Sequence, residues 1–267
     1  MDDPIQTGSA AEHFYQVLFS RRDVRGQFLP DPISPQVLAR VLSAAHHAPS
    51  VGLSQPWNFI VVRDAAVKAR VQTAFEEAHA AEAQLFEGER GAAYCRLKLA
   101  GIVDAPVNLL ITCDRERGGP VVLGKTRQPD TDIYSTVCAV QNLWLAARAE
   151  DLGLGWVSII EPGALRDIFR LPDAVVPVAY VCLGHVSYFY DEPELQAKGW
   201  ARRASLDSLL FNECWGCEMT QIPCGRLLLH WKPAPAWQKP HKGIRLPARN
   251  RAGLQASHRQ GTGSLDR

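Results

Sequence analysis

Residues 134–160 read YSTVCAVQNLWLAARAEDLGLGWVSII, and this stretch decides the fold class. Its first part, 134–151, has helical spacing and little charge before Arg148. A helix that is apolar on most sides is buried, either in a core or between subunits. We interpret Gly153 as the C-cap of this helix, because glycine commonly follows the last helical turn. The apolar run at 154–160 then predicts a buried strand.

The flanking sequence alternates between the same two patterns. Ser34 and Pro35 mark the start of a helix, because serine caps helix N-termini and proline fits the first helical position. Strands that are apolar on both faces predict a sheet covered by helices on both sides, so the class is α+β or α/β. The further helices are expected at 10–20, 35–48 and 64–85, and the further strands at 57–62, 107–113 and 178–183.

The charge balance excludes some classes of partner. The 267 residues include 29 basic and 28 acidic side chains, which gives a net charge of +1. A dedicated nucleic-acid surface requires a clear basic excess, so we expect no nucleic-acid partner. The polar N-terminus lacks the pattern of a secretory signal, and no apolar run reaches the roughly 20 residues that span a bilayer. We therefore expect a soluble, cytoplasmic protein without a membrane partner.

The seven cysteines do not indicate a disulfide framework, because their number is odd and no secretion signal precedes them. Four lie in apolar segments, where we expect buried, small hydrophobic side chains: Cys95, Cys113, Cys138 and Cys182. Cys214 and Cys217 have the spacing of a redox or zinc pair, with Cys224 and His230 downstream. A second closely spaced ligand pair is missing, so we interpret this spacing as chance and predict no metal site.

The character of the sequence changes after Gly216. Residues 217–267 are rich in Pro, Gly, Arg and Ser and show no hydrophobic period. Such a composition is typical of segments that do not form a packed core. We therefore predict one folded domain over 1–216 and a weakly structured C-terminal tail over 217–267.

The run RRDVR at 21–25 places three guanidinium groups within five residues, directly after the first predicted helix. Arginines grip phosphate oxygens through forked, charge-assisted hydrogen bonds, so the run is a candidate phosphate site. The alternative is a solvated, charged helix end, and spacing alone favours that alternative. The chain contains neither a P-loop nor a GxGxxG motif to support a different phosphate site.

The segment HHAPSVGLSQPW at 46–57 predicts a sharply turned loop that leads into a strand. Its hydroxyl and amide groups suit the polar edge of a flat heterocycle, although a plain helix-to-strand connector has the same composition. His46 and His47 have no partner at a metal-ligand spacing, so we assign them a structural role. Glycines before the strand at 154–160 allow close backbone approach to a ligand. Ser158 is the hydroxyl residue of that strand, and an ordinary strand serine is the alternative.

Taken in order, several segments resemble the 5,6-dimethylbenzimidazole synthase (BluB-type) branch of the nitroreductase-like flavoproteins. The likeness extends from about Phe14 to Gly216 and does not include the tail. The matching segments are RRDVR (21–25), AAHHAPSVGLSQPWNFI (44–60), YCRLKLAGIVDAPVNLL (94–110), the stretch at 134–160, and VPVAYVCLGHV (176–186). Their shared order makes the resemblance far more specific than any single motif.

The resemblance implies an α+β, nitroreductase-like fold with a central mixed sheet flanked by helices. It also implies an intertwined homodimer that binds FMN across its interface. The implied activity is the oxygen-dependent fragmentation of reduced FMN to 5,6-dimethylbenzimidazole, the lower ligand of vitamin B12, in cobalamin biosynthesis. Reduced FMN is then the substrate, molecular oxygen is the co-substrate, and NAD(P)H contributes indirectly through a separate flavin reductase.

The resemblance also implies roles for individual residues. Asp23 and Ser158 match the functional aspartate and serine of the family, and we expect them to be catalytic. The residues that match positions near the flavin or its phosphate are Arg21, Arg22, Arg25, Pro49, Ser50 and Gln55, together with Arg202 and Arg203 later in the chain.

Two other functions fit the same residues. An NAD(P)H-dependent FMN nitroreductase would leave the flavin intact and reduce another acceptor. A flavin-binding or storage protein would bind FMN without turnover. Asp23 within the arginine run and the GWVS segment at 155–158 favour the synthase.

Overall fold

The computed structural model describes residues 9–217 as an α+β fold. Its helices are α1 (Ala10–Ser20), α2 (Pro35–His46), α3 (Ala65–Ala83), α4 (Gly88–Tyr94), α5 (Thr131–Ala149), α6 (Pro162–Phe169) and α7 (Glu194–Ala197). Its strands are β1 (Trp57–Val62), β2 (Val107–Asp114), β3 (Gly153–Val157) and β4 (Val175–Gly184). The predicted helices and strands are present, with differences at their ends.

The four strands form one sheet in the order β1-β2-β4-β3. Every pair of neighbouring strands is antiparallel. Parallel pairing is confined, within the described part of the chain, to an isolated bridge between Asp23 and Leu154. The expected mixed sheet is therefore an antiparallel sheet whose outer strand, β3, accepts a short parallel segment at its free edge.

Helices cover both faces of the sheet, as the apolar strands predicted. On β2, Leu109 and Ile111 pack into one buried cluster, while Leu110 between them packs into the other. The first cluster includes Val41 of α2 and Leu143 of α5, and the second draws on α3 and α6. Alternate side chains of a strand point to opposite faces, so both faces of β2 are core.

The helix starts follow ordinary capping chemistry. The Ser34 hydroxyl accepts a hydrogen bond from the Val37 amide at 3.3 Å, and Pro35 occupies the first turn of α2. At α1, Ser9 and Glu12 form a reciprocal capping box. These caps fix where α1 and α2 begin.

The prediction that Gly153 caps the helix at 134–151 is wrong. Helix α5 ends at Ala149, and Asp151 takes the left-handed conformation with φ of 56°. The Leu152 amide then donates to the Ala147 carbonyl at 2.8 Å. Gly153 instead begins β3, where a Cβ would lie 2.3 Å from Val186 Cγ1. Glycine at this position permits close packing and does not end the helix.

Strand β3 is also shorter than predicted. It ends at Val157, so Ser158 follows the strand and is exposed. Helices α4, α6 and α7 were not predicted from the sequence. Helix α4 contains two glycines, α6 begins with Pro162 and Gly163, and α7 has four residues. Such short helices contain too few turns for a hydrophobic periodicity to be recognised in the sequence.

The cysteines differ in part from the expectation. Cys113 and Cys182 are buried, as predicted, but Cys95 and Cys138 are exposed. Cys138 lies on the outward face of α5, which the apolar pattern did not distinguish from the buried face. Cys214 and Cys217 form a disulfide, contrary to the interpretation of their spacing as chance. Cys224, His230 and the predicted tail beyond Cys217 lie outside the described residues. None of the helices within residues 9–217 is long and apolar enough to cross a membrane.

Candidate active site

The segment 21–25 lies along the free edge of β3. The Val24 amide donates to the Leu154 carbonyl at 3.0 Å, and the Trp156 amide donates to Asp23 Oδ1 at 3.0 Å. A Cβ on Gly155 would lie 1.9 Å from the Val24 carbonyl oxygen. The glycines that were expected to admit a ligand therefore admit this segment of the same chain. Asp23 is placed by the strand rather than by a flexible loop.

Asp23 belongs to a row of three charged side chains. Its Oδ2 atom lies 2.5 Å from Nη2 of Arg25, and Nη1 of Arg25 lies 3.8 Å from Oε2 of Glu194. The side chains of Arg25 and Glu194 are 12% and 8% exposed. Glu194 was not predicted, because an acidic residue within DEPE at 191–194 has the pattern of a solvated surface.

Burial raises the pKa of the Asp23 carboxyl above its ordinary value. The Arg25 charge, the Trp156 amide and the Arg21 charge oppose that shift without cancelling it. Burial likewise raises the pKa of Glu194, against the opposing charges of Arg25 and Lys198. Both acidic groups thus bind protons more readily than exposed carboxyls do.

Arg22 contacts the protein backbone. Its guanidinium donates to the carbonyls of Phe19 and Arg21 at 2.8 Å each and of Tyr190 at 2.9 Å, and also to the carbonyl of Asp191. These bonds join the end of α1 to the segment that leads into α7. The geometry therefore gives Arg22 a scaffold role, beside the flavin-binding role that the resemblance implies.

Arg21 has a different environment. Its guanidinium lies over the Trp144 ring, 4.4 Å from the centroid, and no residue within 9–217 forms a hydrogen bond or ion pair with it. Burial and the charge of Arg203 both lower its pKa, while Asp23 raises it. Arg203 lowers the pKa of Arg22 as well. Arg21 and Arg203 therefore form a positive region in which neither guanidinium has a direct ion-pair partner in the described part of the chain, while the Asp23 charge acts on Arg21 from nearby.

Arg148 of α5 lies beside this positive region and was not predicted, and it already pairs with Asp151, whose Oδ1 lies 3.0 Å from its Nη1. Its charge lowers the pKa of Arg22, and its guanidinium lies 4.3 Å from the centroid of the Phe189 ring. Arg202 and Arg203 are both exposed, but only the charge of Arg203 acts on the pKa values of Arg21 and Arg22. The structure thus brings together Arg21, Arg22 and Arg203, but it does not place Arg202 beside them.

The loop at 49–56 is held by its own polar groups. The Ser50 hydroxyl accepts a hydrogen bond from the Gln55 amide at 3.0 Å, and the Gln55 carbonyl accepts one from Arg117 Nη1 at 3.0 Å. Gln55 has φ of 45°, a left-handed conformation. Pro49 is exposed at the start of the loop. Within the described residues, no hydrogen bond or ion pair joins this loop to 21–25.

The two histidines beside this loop are structural, as expected. The Trp57 indole N–H donates to His46 Nδ1 at 3.2 Å. His47 Nδ1 lies 2.7 Å from the Ser43 carbonyl, at the end of α2. Both side chains therefore secure the turn between α2 and β1.

Ser158 has a side chain that the described part of the chain does not hold in place. Its hydroxyl is exposed and has no partner within residues 9–217. It follows Trp156 by two residues, and at about 3.3 Å per residue the two positions are roughly 7 Å apart along the chain. Trp156 is the residue whose amide holds Asp23. Asp23 and Ser158 therefore lie near the same strand edge, one held and the other free.

The outward face of α5 is apolar. Tyr134 is 58% exposed and Val137 is 38% exposed, and Cys138 is exposed beside them. Residues spaced three and four apart share one helix face, so these side chains form a continuous strip. An exposed apolar strip of this kind is typical of a surface that contacts another protein.

Comparison with known proteins gives the family. Residues 18–185 match the model of the Nitroreductase family. The 5,6-dimethylbenzimidazole synthase of Rhodospirillum rubrum is 43% identical over 183 residues, covering 68% of this chain and 86% of that protein. The synthase of Rhodobacter capsulatus is 41% identical over 185 residues, covering 69% and 89%.

A solved structure supports the fold. Oxidized iodotyrosine deiodinase, bound to FMN and 3-iodo-L-tyrosine, has a TM-score of 0.56 at 20% identity, covering 66% of this chain and 91% of that one. At that identity the likeness concerns the fold alone. With the family match and the two synthases, it leads to one conclusion: the chain belongs to the nitroreductase family of oxidoreductases, in its 5,6-dimethylbenzimidazole synthase branch.

Proposed function

We propose that this protein converts reduced FMN, with molecular oxygen, to 5,6-dimethylbenzimidazole, the lower ligand of vitamin B12. The observation that carries the proposal is the 43% identity to a protein named as that synthase. The site adds support, because it combines an aspartate of raised pKa with an unpaired arginine at one strand edge. Reduced FMN would supply the dimethylbenzene ring of the product, and a separate flavin reductase would supply its electrons from NAD(P)H.

Arg21 and Arg203 fit the phosphate of FMN. Neither has a carboxylate partner within residues 9–217, and Arg203 lowers the pKa of Arg21 by like-charge repulsion. A phosphate between them would relieve that repulsion and would accept forked hydrogen bonds from Arg21. That Arg22, Arg25 and Arg202 also contact the flavin stays a prediction.

Asp23 and Ser158 would act on protons and polar atoms of the bound flavin. A base works best when its pKa lies near the working pH, and burial moves the pKa of Asp23 in that direction. The free Ser158 hydroxyl would donate to or accept from a polar atom of the flavin ring or a bound water. Trp144 and Trp156, with ring centroids 6.4 Å apart, would help to exclude bulk water from this edge.

We also propose a homodimer, with the α5 strip at its interface. Within residues 9–217, no hydrogen bond or ion pair joins Pro49, Ser50 or Gln55 to 21–25, and we propose that a second chain brings its own loop to the flavin. Alkylation with iodoacetamide tests this proposal, because Cys138 lies within the strip and the exposed Cys95 lies outside it. Cys95 should react and Cys138 should be protected in the native protein. Equal reaction of both thiols would contradict the interface.

The function is tested by incubating the purified protein in air with FMN, NADH and a separate flavin reductase. Mass spectrometry should detect dimethylbenzimidazole only when this protein is present. Flavin that survives, with NADH oxidation by this protein alone when a nitroaromatic is added, would instead support an NAD(P)H-dependent nitroreductase. Bound FMN with neither activity would support a flavin-binding protein.

A further inference from the structure

Glu194 is a buried acidic residue that lies across Arg25 from Asp23, the predicted catalytic aspartate. Its Oε2 atom has no hydrogen-bond partner within residues 9–217, and the side chain is 8% exposed. The nearest cation is Arg25, whose Nη1 lies 3.8 Å from that oxygen. The other amino group of Arg25, Nη2, lies 2.5 Å from Asp23 Oδ2. One guanidinium therefore stands between two carboxyl groups.

The charges of this row do not balance when both carboxyls are ionised. Asp23 and Glu194 would then contribute two negative charges against one positive charge on Arg25. Two carboxylates that share a poorly solvated site cannot both ionise easily, so one of them keeps a proton. The pKa of each carboxyl is raised, and the charge of Asp23 contributes to the shift at Glu194.

Two cations that face the row reduce this imbalance, yet the pKa of each carboxyl stays raised. Lys198 lies near Glu194 from the end of α7, and Arg21 lies near Asp23, and both act against the raised pKa values. Tyr190 adds no charge near pH 7, where an ordinary tyrosine with a pKa of about 10 is already neutral, and its own pKa is raised further. Gln27, which is buried, accepts the Arg25 amide hydrogen at 3.2 Å and also contacts Glu194, without adding charge.

We propose that Glu194 is a positioning residue, which holds Arg25 against Asp23 and shares a single proton with the aspartate. The proposal rests on the proposed function, in which Asp23 holds or moves a proton. When the proton is on Glu194, Asp23 is ionised and pairs with Arg25 as a base. When Glu194 is ionised, the proton stays on Asp23. The coupling acts through charge across Arg25, and so it needs no direct contact between the two carboxyls.

The titration of Asp23 tests the coupling without any flavin. Protein labelled with 13C at aspartate carboxyls is titrated by NMR, and the Asp23 signal is assigned by its absence in Asp23→Asn. Glu194→Gln removes one negative charge at nearly constant shape. The midpoint of Asp23 should then fall by about one pH unit or more, as expected for loss of a like charge nearby.

A neighbouring carboxylate provides the matched control. Glu192 is exposed and lies two residues from Glu194, outside the row. Glu192→Gln should leave the Asp23 midpoint unchanged. If Glu194→Gln behaves like Glu192→Gln, with native thermal unfolding in both variants, the proposal is overturned.

The reverse titration keeps the test decisive if Glu194→Gln does not fold. In Asp23→Asn labelled with 13C at glutamate, the Glu194 midpoint should fall relative to the unsubstituted protein, because coupling between two sites is reciprocal. Assignment uses the double variant Asp23→Asn with Glu194→Asp. An unchanged Glu194 midpoint would overturn the proposal on its own.

Product formation separates the two proposals. The acid limb of the pH profile for dimethylbenzimidazole should move to lower pH in Glu194→Gln and return toward the original in Glu194→Asp, which keeps the charge. Absence of product from the unsubstituted protein would contradict the proposed function, while the titrations would still decide the coupling. Normal product formation, together with Asp23 and Glu194 midpoints that do not change in the variants, would contradict the coupling alone.

Discussion

Asp23 and Ser158 are the two predicted catalytic residues, and they occupy opposite environments at the edge of β3. Asp23 is held by the Trp156 amide and by Arg25, and its backbone bridges to Leu154. Ser158 follows the same strand with an exposed hydroxyl that has no partner within residues 9–217. One chain therefore completes the surroundings of Asp23, whereas the Ser158 hydroxyl stays open to solvent, to a bound molecule or to a second chain. Substitutions at Asp23 should therefore change the protein itself, whereas a substitution at Ser158 should change only its activity.

The largest expected effect comes from Gly155→Ala. The added Cβ would lie 1.9 Å from the Val24 carbonyl, which is backbone and cannot rotate away. The segment 21–25 must then leave β3, taking Asp23 from the Trp156 amide. We expect a loss of about 3 kcal/mol or more in the free energy of unfolding, as for severe overpacking. Urea unfolding measures it.

Gly163→Ala is the matched control. A Cβ at Gly163 meets no atom within 4 Å, and the residue lies in the first turn of α6. Alanine favours a helix over glycine by up to about 1 kcal/mol, so this variant should be unchanged or slightly more stable. Equal destabilisation by both substitutions would contradict the role given to the close approach at Gly155.

Asp23→Asn and Ser158→Ala should both abolish most product formation, by about 100-fold or more, if each group acts on the bound flavin. Their effects on the protein itself should differ. Ser158→Ala should leave the free energy of unfolding unchanged, because the hydroxyl has no partner within residues 9–217. Asp23→Asn should alter the pH dependence of the free energy of unfolding. Both should retain FMN, measured by fluorescence. Normal product yield from either variant would remove that residue from the mechanism.

A smaller effect distinguishes neighbouring arginines. Arg22→Ala removes the donor to four backbone carbonyls and should cost about 2 kcal/mol in unfolding free energy. Arg21→Ala loses the contact with Trp144, worth about 1 kcal/mol or less, but should weaken FMN binding at least about tenfold. Calorimetry measures both quantities, with the exposed Arg202→Ala as control. Weaker FMN binding in Arg22→Ala than in Arg21→Ala would reverse the assignment.

Much of the fold was predictable because it depends on local pattern. The strand at 57–62 and the helix at 10–20 match the structure at both ends. The end of α5 was not predictable, because Asp151 adopts the left-handed conformation that Gly153 was expected to supply. Which of these two residues takes that conformation depends on the packing of Gly153 against Val186. Those two residues are 33 positions apart in sequence. No local pattern carries that information.

The candidate site was predictable in composition but not in arrangement. RRDVR indicated charge, yet its three arginines have three different partners: an aromatic ring, backbone carbonyls and two carboxyls. Glu194 was missed because its burial depends on contact with a segment 169 residues earlier. Its type and spacing are those of a surface residue, and only the tertiary contact with Arg25 distinguishes it.

The smallest expected effect concerns pH and the constraint on Asp23. Burial raises the pKa of Asp23 in the folded protein, whereas in the unfolded chain it is about 4. The folded state therefore binds more protons between those values, so the free energy of unfolding decreases as pH rises from about 4 through the raised pKa. The slope from one proton cannot exceed about 1.4 kcal/mol per pH unit. Urea unfolding at several pH values should show a shallower decrease in Asp23→Asn. The exposed Asp31→Asn and Ser158→Ala should both keep the original slope, since neither residue belongs to the Asp23–Arg25–Glu194 row; a shallower slope in either would contradict the assignment of the proton to that row.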